Sequence, residues 1–248
     1  MQPRHSPTSI LLLVAILAIA VIVSSSHAAR PAPAQGVISS ALVKLGGAGD
    51  LQPLESGCQV GVTDDPHITM MYLYPPDDEY YTLLDPATCD CGEQVGFTPT
   101  VAHVTLDFSE ACSIPVTVSV VAADLSNPLC PTPMREQYLC PSVDYDLTVS
   151  EAGLYNMSIP LHPGCCITQA AFLMISFRAV GDCGGVPGLA MAFACNPCVS
   201  WNYWSGGALV DLCDGYLLGN PNMYVDATCC QSVPLLPDTW ERVKSMYR

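Results

Sequence analysis

Basic residues are scarce in this chain. Eight Lys and Arg stand against 23 Asp and Glu in 248 residues, a formal net charge of -15. A nucleic-acid binder needs a basic face for phosphates, and docking on anionic lipid needs one too, so both classes are excluded. Charge of either sign is also low, at 12% of residues, against about a quarter in ordinary globular proteins. The acidity therefore reflects missing bases and not a supercharged surface. Histidine is rare, and beyond residue 28 only His67, His103 and His162 occur. There is no Gly-x-Ser-x-Gly elbow, no His-Glu-x-x-His pair and no Gly-rich phosphate loop followed by Lys. The common signatures of α/β hydrolases, zinc proteases and nucleotide binders are thus absent. No interior stretch carries a sustained helical stripe. The long apolar run, residues 10–23, has 14 residues, fewer than the roughly 20 that a membrane-spanning helix needs.

That run has Arg4 before it and Ser26-His27-Ala28 after it. A short basic start, an apolar core and small residues at the cut describe a secretory signal over residues 1–28. The mature chain is then secreted, to the extracellular space, the cell surface or the periplasm, with no stable membrane span. Residues 29–56 are rich in Ala, Gly, Pro and Ser and read as a linker or loosely packed arm, with a short helix near 37–45. Residues 57–233 form the main domain. Residues 234–248 form a C-terminal helical tail. There Asp238 caps, Glu241 is its reciprocal partner, and Trp240, Val243 and Tyr247 share one face. Such a stripe usually packs on the chain's own surface, and docking on a partner is the alternative.

What the chain does have is cysteine. Cys58, Cys89, Cys91, Cys112, Cys130, Cys140, Cys165, Cys166, Cys183, Cys195, Cys198, Cys213, Cys229 and Cys230 make an even 14, all inside the main domain. Behind a secretory signal an even count reads as a disulfide framework of seven bridges. The Pro-rich segment CPTPMREQYLC is short enough to close on itself through Cys130 and Cys140. The neighbours Cys165-Cys166 and Cys229-Cys230 should each reach separate partners, because a bridge between adjacent residues strains the backbone. Cys89, Cys91, Cys195 and Cys198 have zinc-like spacing, but an oxidising compartment favours bridges over thiolate ligands.

Alternation at period two dominates from residue 67 onward. HITMMYLY, TVAHVTLDF, PVTVSVV, VDYDLTV, YNMSIPL, LAMAFAC and NMYVDAT read as strands, and AFLMISFRAV is apolar enough for a central one. Clusters such as YPPDDE, SNPLCPTP, HPGCC and GDCGGVPG read as turns. Eight or more short strands predict an all-β fold: an antiparallel, disulfide-rich β-sandwich of jelly-roll-like order, with a short C-terminal helix. In TVAHVTLDF the alternation turns His103 outward, where solvent exposure is the default.

The succession YNMSIPL, AFLMISF and WNYWSGGALVDLCDGYLLGNPNMYVDA resembles the second half of secreted bacterial jelly-roll modules that lack an assigned function. In those a Pro-Leu strand edge precedes an apolar strand, a Trp/Gly-rich turn and a closing Gly-Asn strand. The likeness covers residues 153–228 and implies a secreted, often surface-associated accessory module. It carries no catalytic residues across.

Candidate ligand residues cluster in the same third. Trp201, Tyr203, Trp204 and Tyr216 offer flat rings that stack on sugars, with Asp and Asn nearby for hydroxyls; core packing is the competing use. If Trp201 and Tyr203 share one strand face, Asn202 and Trp204 share the other. Asp211, Asp214 and Asp226 are oxygen donors of the kind calcium takes, and calcium is the candidate ion, with no organic cofactor indicated. Asp77-Asp78-Glu79 follow two prolines and read as a solvated turn. His67 follows Asp64-Asp65-Pro66, again in turn composition. Asn156-Met157-Ser158 is a glycosylation sequon. The expectation is a non-enzymatic module that binds a glycan or a surface protein. One alternative is a self-associating structural subunit of a coat or filament. The other is a carboxylate-dependent hydrolase using Asp77 to Glu79 or Asp211 to Asp226.

Overall fold

The computed structural model describes residues 34–35, 42–44, 57–63, 66–72, 78–91, 96–162, 164–177, 183, 187–192, 194–203, 207–216 and 219–230. The signal, most of the arm, the C-terminal tail, Asp64, Asp65, Asp77 and Trp204 lie outside the described residues, as do the side chains of His67 and Tyr216. In chain order the strands are β1 (Ala34–Gln35), β2 (Leu42–Lys44), β3 (Cys58–Gly61), β4 (Pro66–Tyr72), β5 (Asp78–Leu84), β6 (Gly96–Phe108), β7 (Cys112–Asp124) and β8 (Thr132–Tyr138). They continue with β9 (Val143–Val149), β10 (Gly153–Pro160), β11 (Ala171–Phe177), β12 (Gly188–Ala192), β13 (Ser200–Tyr203), β14 (Leu209–Asp211), β15 (Asn220–Pro221) and β16 (Met223–Cys230). Among the described residues a 3-10 turn spans Pro86–Thr88, and a short helix, α1, spans Leu212–Tyr216.

Two sheets result. Sheet one runs β1-β9-β7-β11-β5-β13-β14, with β8 also on β7. Sheet two runs β15-β12-β6-β10-β2, with β4 on β12 and β16 between β3 and β6. The ladders are antiparallel apart from the two-residue pairing of β1 with β9. From β9 to β13 successive strands alternate between the sheets, and so do β5, β6 and β7. Crossing from sheet to sheet at each step is jelly-roll-like connectivity, and this is the all-β antiparallel sandwich that the alternation predicts.

Period-two alternation explains the core. In β6, Ala102, Val104, Leu106 and Phe108 are buried, and in β9 Val143, Tyr145, Leu147 and Val149 are. They meet the inward side chains of β10, β11 and β16, among them Met157, Leu173, Ile175 and Val225, in one continuous cluster between the sheets. The apolar run AFLMISF is buried on both faces because β7 and β5 flank it within the sheet and its outward Phe172 and Met174 join a second cluster. Within the segment 37–45, where a helix is predicted, the described residues Leu42–Lys44 form a strand: β2 pairs Leu42 to Met157 and Lys44 to Tyr155 of β10.

All 14 cysteines are bridged, in seven pairs. Thiols bridged in this number mark a protein that matures in an oxidising compartment. The adjacent cysteines do take separate partners: Cys165 joins Cys140, Cys166 joins Cys230, and Cys229 joins Cys91. The local Cys130–Cys140 bridge is not formed. Cys130 joins Cys198 instead. The segment between them is strand β8, seven residues or roughly 23 Å when extended, far beyond disulfide reach. Zinc-like pairing of Cys89, Cys91, Cys195 and Cys198 is likewise excluded by their bridges. Among the described residues, no helix is long and apolar enough to cross a membrane.

Candidate functional site

The outer face of sheet one is built from aromatic residues. Strands β13, β5 and β11 place Trp201 beside Tyr81 and Tyr81 beside Met174 in register. Tyr81, Val121, Phe172 and Met174 are fully covered there, and the partly exposed Tyr138, Trp201, Tyr203 and Leu209 pack against them. Trp201 and Tyr203 therefore do share one face, while Asn202 on the other face is buried. Trp201 and Tyr203 are half-buried, so each ring gives one part to packing and keeps another at the surface.

Arg135 of β8 completes this face. Its guanidinium lies over the Tyr203 ring, 3.1 Å from the centroid, and its Nε donates to Glu79 at 2.7 Å. Tyr81 donates to the same Glu79 carboxylate at 2.5 Å. Burial, then the Glu79 charge and hydrogen bond, push the Tyr81 phenol far up. Burial works against the Arg135 charge, but Glu79 and Tyr81 outweigh it and hold the guanidinium protonated. The Cys130–Cys198 bridge fastens the β7–β8 connection to the segment just before β13, which keeps Arg135 against the aromatic strip. Asp78 and Glu79 are thus not a solvated turn. They open β5, where Asp78 is buried and accepts from Tyr80 at 2.5 Å and Asn202 at 2.8 Å. The two prolines before them suggested a turn, but the strand begins one residue after Asp77.

Sheet two carries a polar outer row. His103 of β6 pairs in register with Ser158 of β10 and with Tyr224 of β16, which puts Asp226 of β16 diagonally across from it. The His103 Nε2 lies 2.7 Å from Asp226 Oδ2, and its Nδ1 lies 3.1 Å from Ser158 Oγ. The imidazole stacks on Tyr224, centroids 4.5 Å apart, and Gln59 donates to Asp226 at 3.1 Å. Burial opposes the Asp226 charge, but the hydrogen bond and charge of His103, with Gln59, hold its carboxyl below the usual range. The His103 and Asp226 side chains are only 12% and 10% exposed, so the exposure expected for His103 is corrected: neighbouring strands cover it.

The three aspartates do not converge. Asp211 is buried at the start of α1, where its carboxylate accepts from the backbone N–H of Cys198, Cys213 and Asp214. It is a helix cap that also ties down the Cys198 loop. Asp214 is exposed in α1, and Asp226 sits in the other sheet beside His103. The Asn156 sequon is inside β10, 8% exposed, and its amide is engaged with Tyr224 Oη at 2.9 Å, so the folded domain withholds it from a glycosyl transferase. His162 is half-buried after β10. A solvent-open cleft of about 300 Å³ between Leu139 and residues 164–170 presents no titratable side chain.

Arg135, His103 and Ser158 were not identifiable as site residues from the chain alone, and Glu79 stood out only as a carboxylate of the hydrolase alternative. The one available signal was polar residues at the outward positions of otherwise apolar strands. A family model described as a domain of unknown function (DUF7451) matches residues 54–229. No curated protein and no solved structure matches the chain.

Proposed function

We propose that this chain, which belongs to the DUF7451 family, is a secreted binding module that presents the Trp201–Tyr203 strip of sheet one to a neutral glycan on an extracellular surface. The observation that carries the reading is the outer face itself. Half-buried aromatic rings lie beside a charged Arg135–Glu79 pair that is already fixed by Tyr203 and Tyr81. Rings held from below give a sugar a flat apolar surface, and the fixed polar pair meets its hydroxyls at little further entropic cost. The net charge of -15 repels polyanions and favours an uncharged polymer. The signal-like residues 1–28 and the seven bridges support secretion.

Native gel electrophoresis of the oxidised protein, with and without hydroxyethyl cellulose or galactomannan in the gel, tests this. Retardation by one polymer is expected. Tyr203→Ala should abolish it while the melting temperature moves by only a few degrees. No retardation by either polymer, or equal retardation of the variant, removes the reading.

A further inference from the structure

We propose that Ser158 is a nucleophile for short acyl esters, with His103 as its general base and Asp226 as the group that positions the base. This goes beyond the glycan reading and rests on the opposite sheet. Three adjacent strands place Ser158 Oγ 3.1 Å from His103 Nδ1, and His103 Nε2 2.7 Å from Asp226 Oδ2. A carboxylate only accepts, so in the neutral ring Nε2 carries the proton and the Nδ1 lone pair faces the serine hydroxyl. That is the tautomer a general base needs, and a nucleophile, a base and an orienting acid in hydrogen-bond succession is the arrangement acyl transfer requires. Tyr224 stacks on the ring and Gln59 holds the acid, so neither partner is free to swing away.

A second observation points the same way. Asn156, two residues from Ser158 on the same strand face, is more than nine-tenths buried, and its Oδ1 has no partner among the described residues. Oxygen and nitrogen of an amide are interchangeable by rotation, and Tyr224 Oη can accept from one or donate to the other. Either way one end of a buried amide is left unused beside the serine. With Nδ2 as that end, it is a donor for an oxyanion.

The reaction balances with water alone. Ser158 Oγ forms a bond to the acyl carbon as its proton passes to His103 Nδ1. The ester C–O bond breaks, and the alcohol leaves with that proton. Water then attacks the acyl-serine through the same base, releasing the acid and restoring Ser158. Ser158 is only partly exposed, and the side chains next to it on the outer face, His103 and Asn156, are polar, which suits an acetylated polyol and not a lipid ester.

The oxidised full chain is treated with a fluorophosphonate probe and assayed with p-nitrophenyl acetate. The expected result is one phosphonyl adduct on the peptide bearing Ser158, together with ester turnover that Ser158→Ala removes. In a His103→Gln variant that retains seven bridges, labelling should slow at least about 100-fold. Asp226→Asn should lower kcat with little change in KM, and Asp226→Glu should recover part of it. Wild-type protein without an adduct at Ser158, or a bridged His103→Gln variant labelling at the wild-type rate, overturns the proposal. If the His103 variant does not retain its bridges, the wild-type labelling decides alone.

Discussion

Asp226→Asn changes one atom in the polar row of sheet two, and its effect on stability can be worked out before it is measured. The carboxylate accepts from His103 at 2.7 Å and from Gln59 at 3.1 Å, in a site 10% exposed. An asparagine keeps an oxygen for Gln59, so one charge-assisted bond is weakened. Such bonds contribute about 1.5–3 kcal/mol, and burial of the charge offsets part of that, leaving a loss of about 2 kcal/mol at neutral pH. For a domain of this size the melting temperature should fall by about 4–8 °C. The sign with pH follows from the carboxyl being held below its ordinary value in the folded state. Its contribution is present above the unfolded value of about 3.9 and is lost as pH falls through the lower folded value. The gap between wild type and variant should therefore be wide at pH 7 and close as the pH drops below about 4. Guanidinium unfolding followed by tryptophan fluorescence, with disulfides intact, reads it directly. A gap of the same size at pH 2.5 and pH 7 would refute the argument.

Three further outcomes are expected. Thr82 and Ser200 are fully buried opposite each other with hydroxyls that have no partner among the described residues. Thr82→Val should be neutral or stabilise by up to about 1 kcal/mol in a denaturant titration, and a clear loss would mean the hydroxyl is engaged. Gly219 has φ of +101°, and a Cβ there would sit 2.1 Å from the carbonyl oxygen of Ala192. Gly219→Ala should cost about 1–3 kcal/mol in thermal unfolding, and an unchanged melting temperature would contradict that backbone path. Alkylation should modify no thiol before reduction and 14 after it. Peptide mapping should join Cys130 to Cys198 and Cys140 to Cys165, and a Cys130–Cys140 peptide would exclude the β8 geometry.

Strand identity was legible wherever alternation was uninterrupted. VDYDLTV coincides with β9 residue for residue, and β11 takes the first seven residues of AFLMISFRAV. Strand β8 was not, because Pro133 and the flanking Pro131, Cys130 and Cys140 give this segment the composition of a loop, while its ladder with β7 carries an irregular register that alternation does not signal. The same limit applies to the sites. Alternation placed Trp201 and Tyr203 on one face, since they lie on one strand. It could not place Arg135 over Tyr203, or His103 between Ser158 and Asp226. Those contacts depend on which strands pair and in what register, and side-chain period alone carries no information about the partner strand. Asp226 was noticed for its carboxylate, but its neighbour had to come from another strand.

The bridges impose an order on biosynthesis. Cys91 waits for Cys229, 138 residues later, and Cys166 waits for Cys230. Strand β16, which inserts between β3 and β6, is among the last parts of the domain to leave a ribosome or translocon. Until it arrives, Cys91 and Cys166 lack their native partners and can pair only with wrong thiols, whereas bridges such as Cys58–Cys89 and Cys140–Cys165 can already close. The two bridges to β16 therefore close last, and production of this domain should depend on a catalyst that reshuffles premature bridges more than on one that merely makes them.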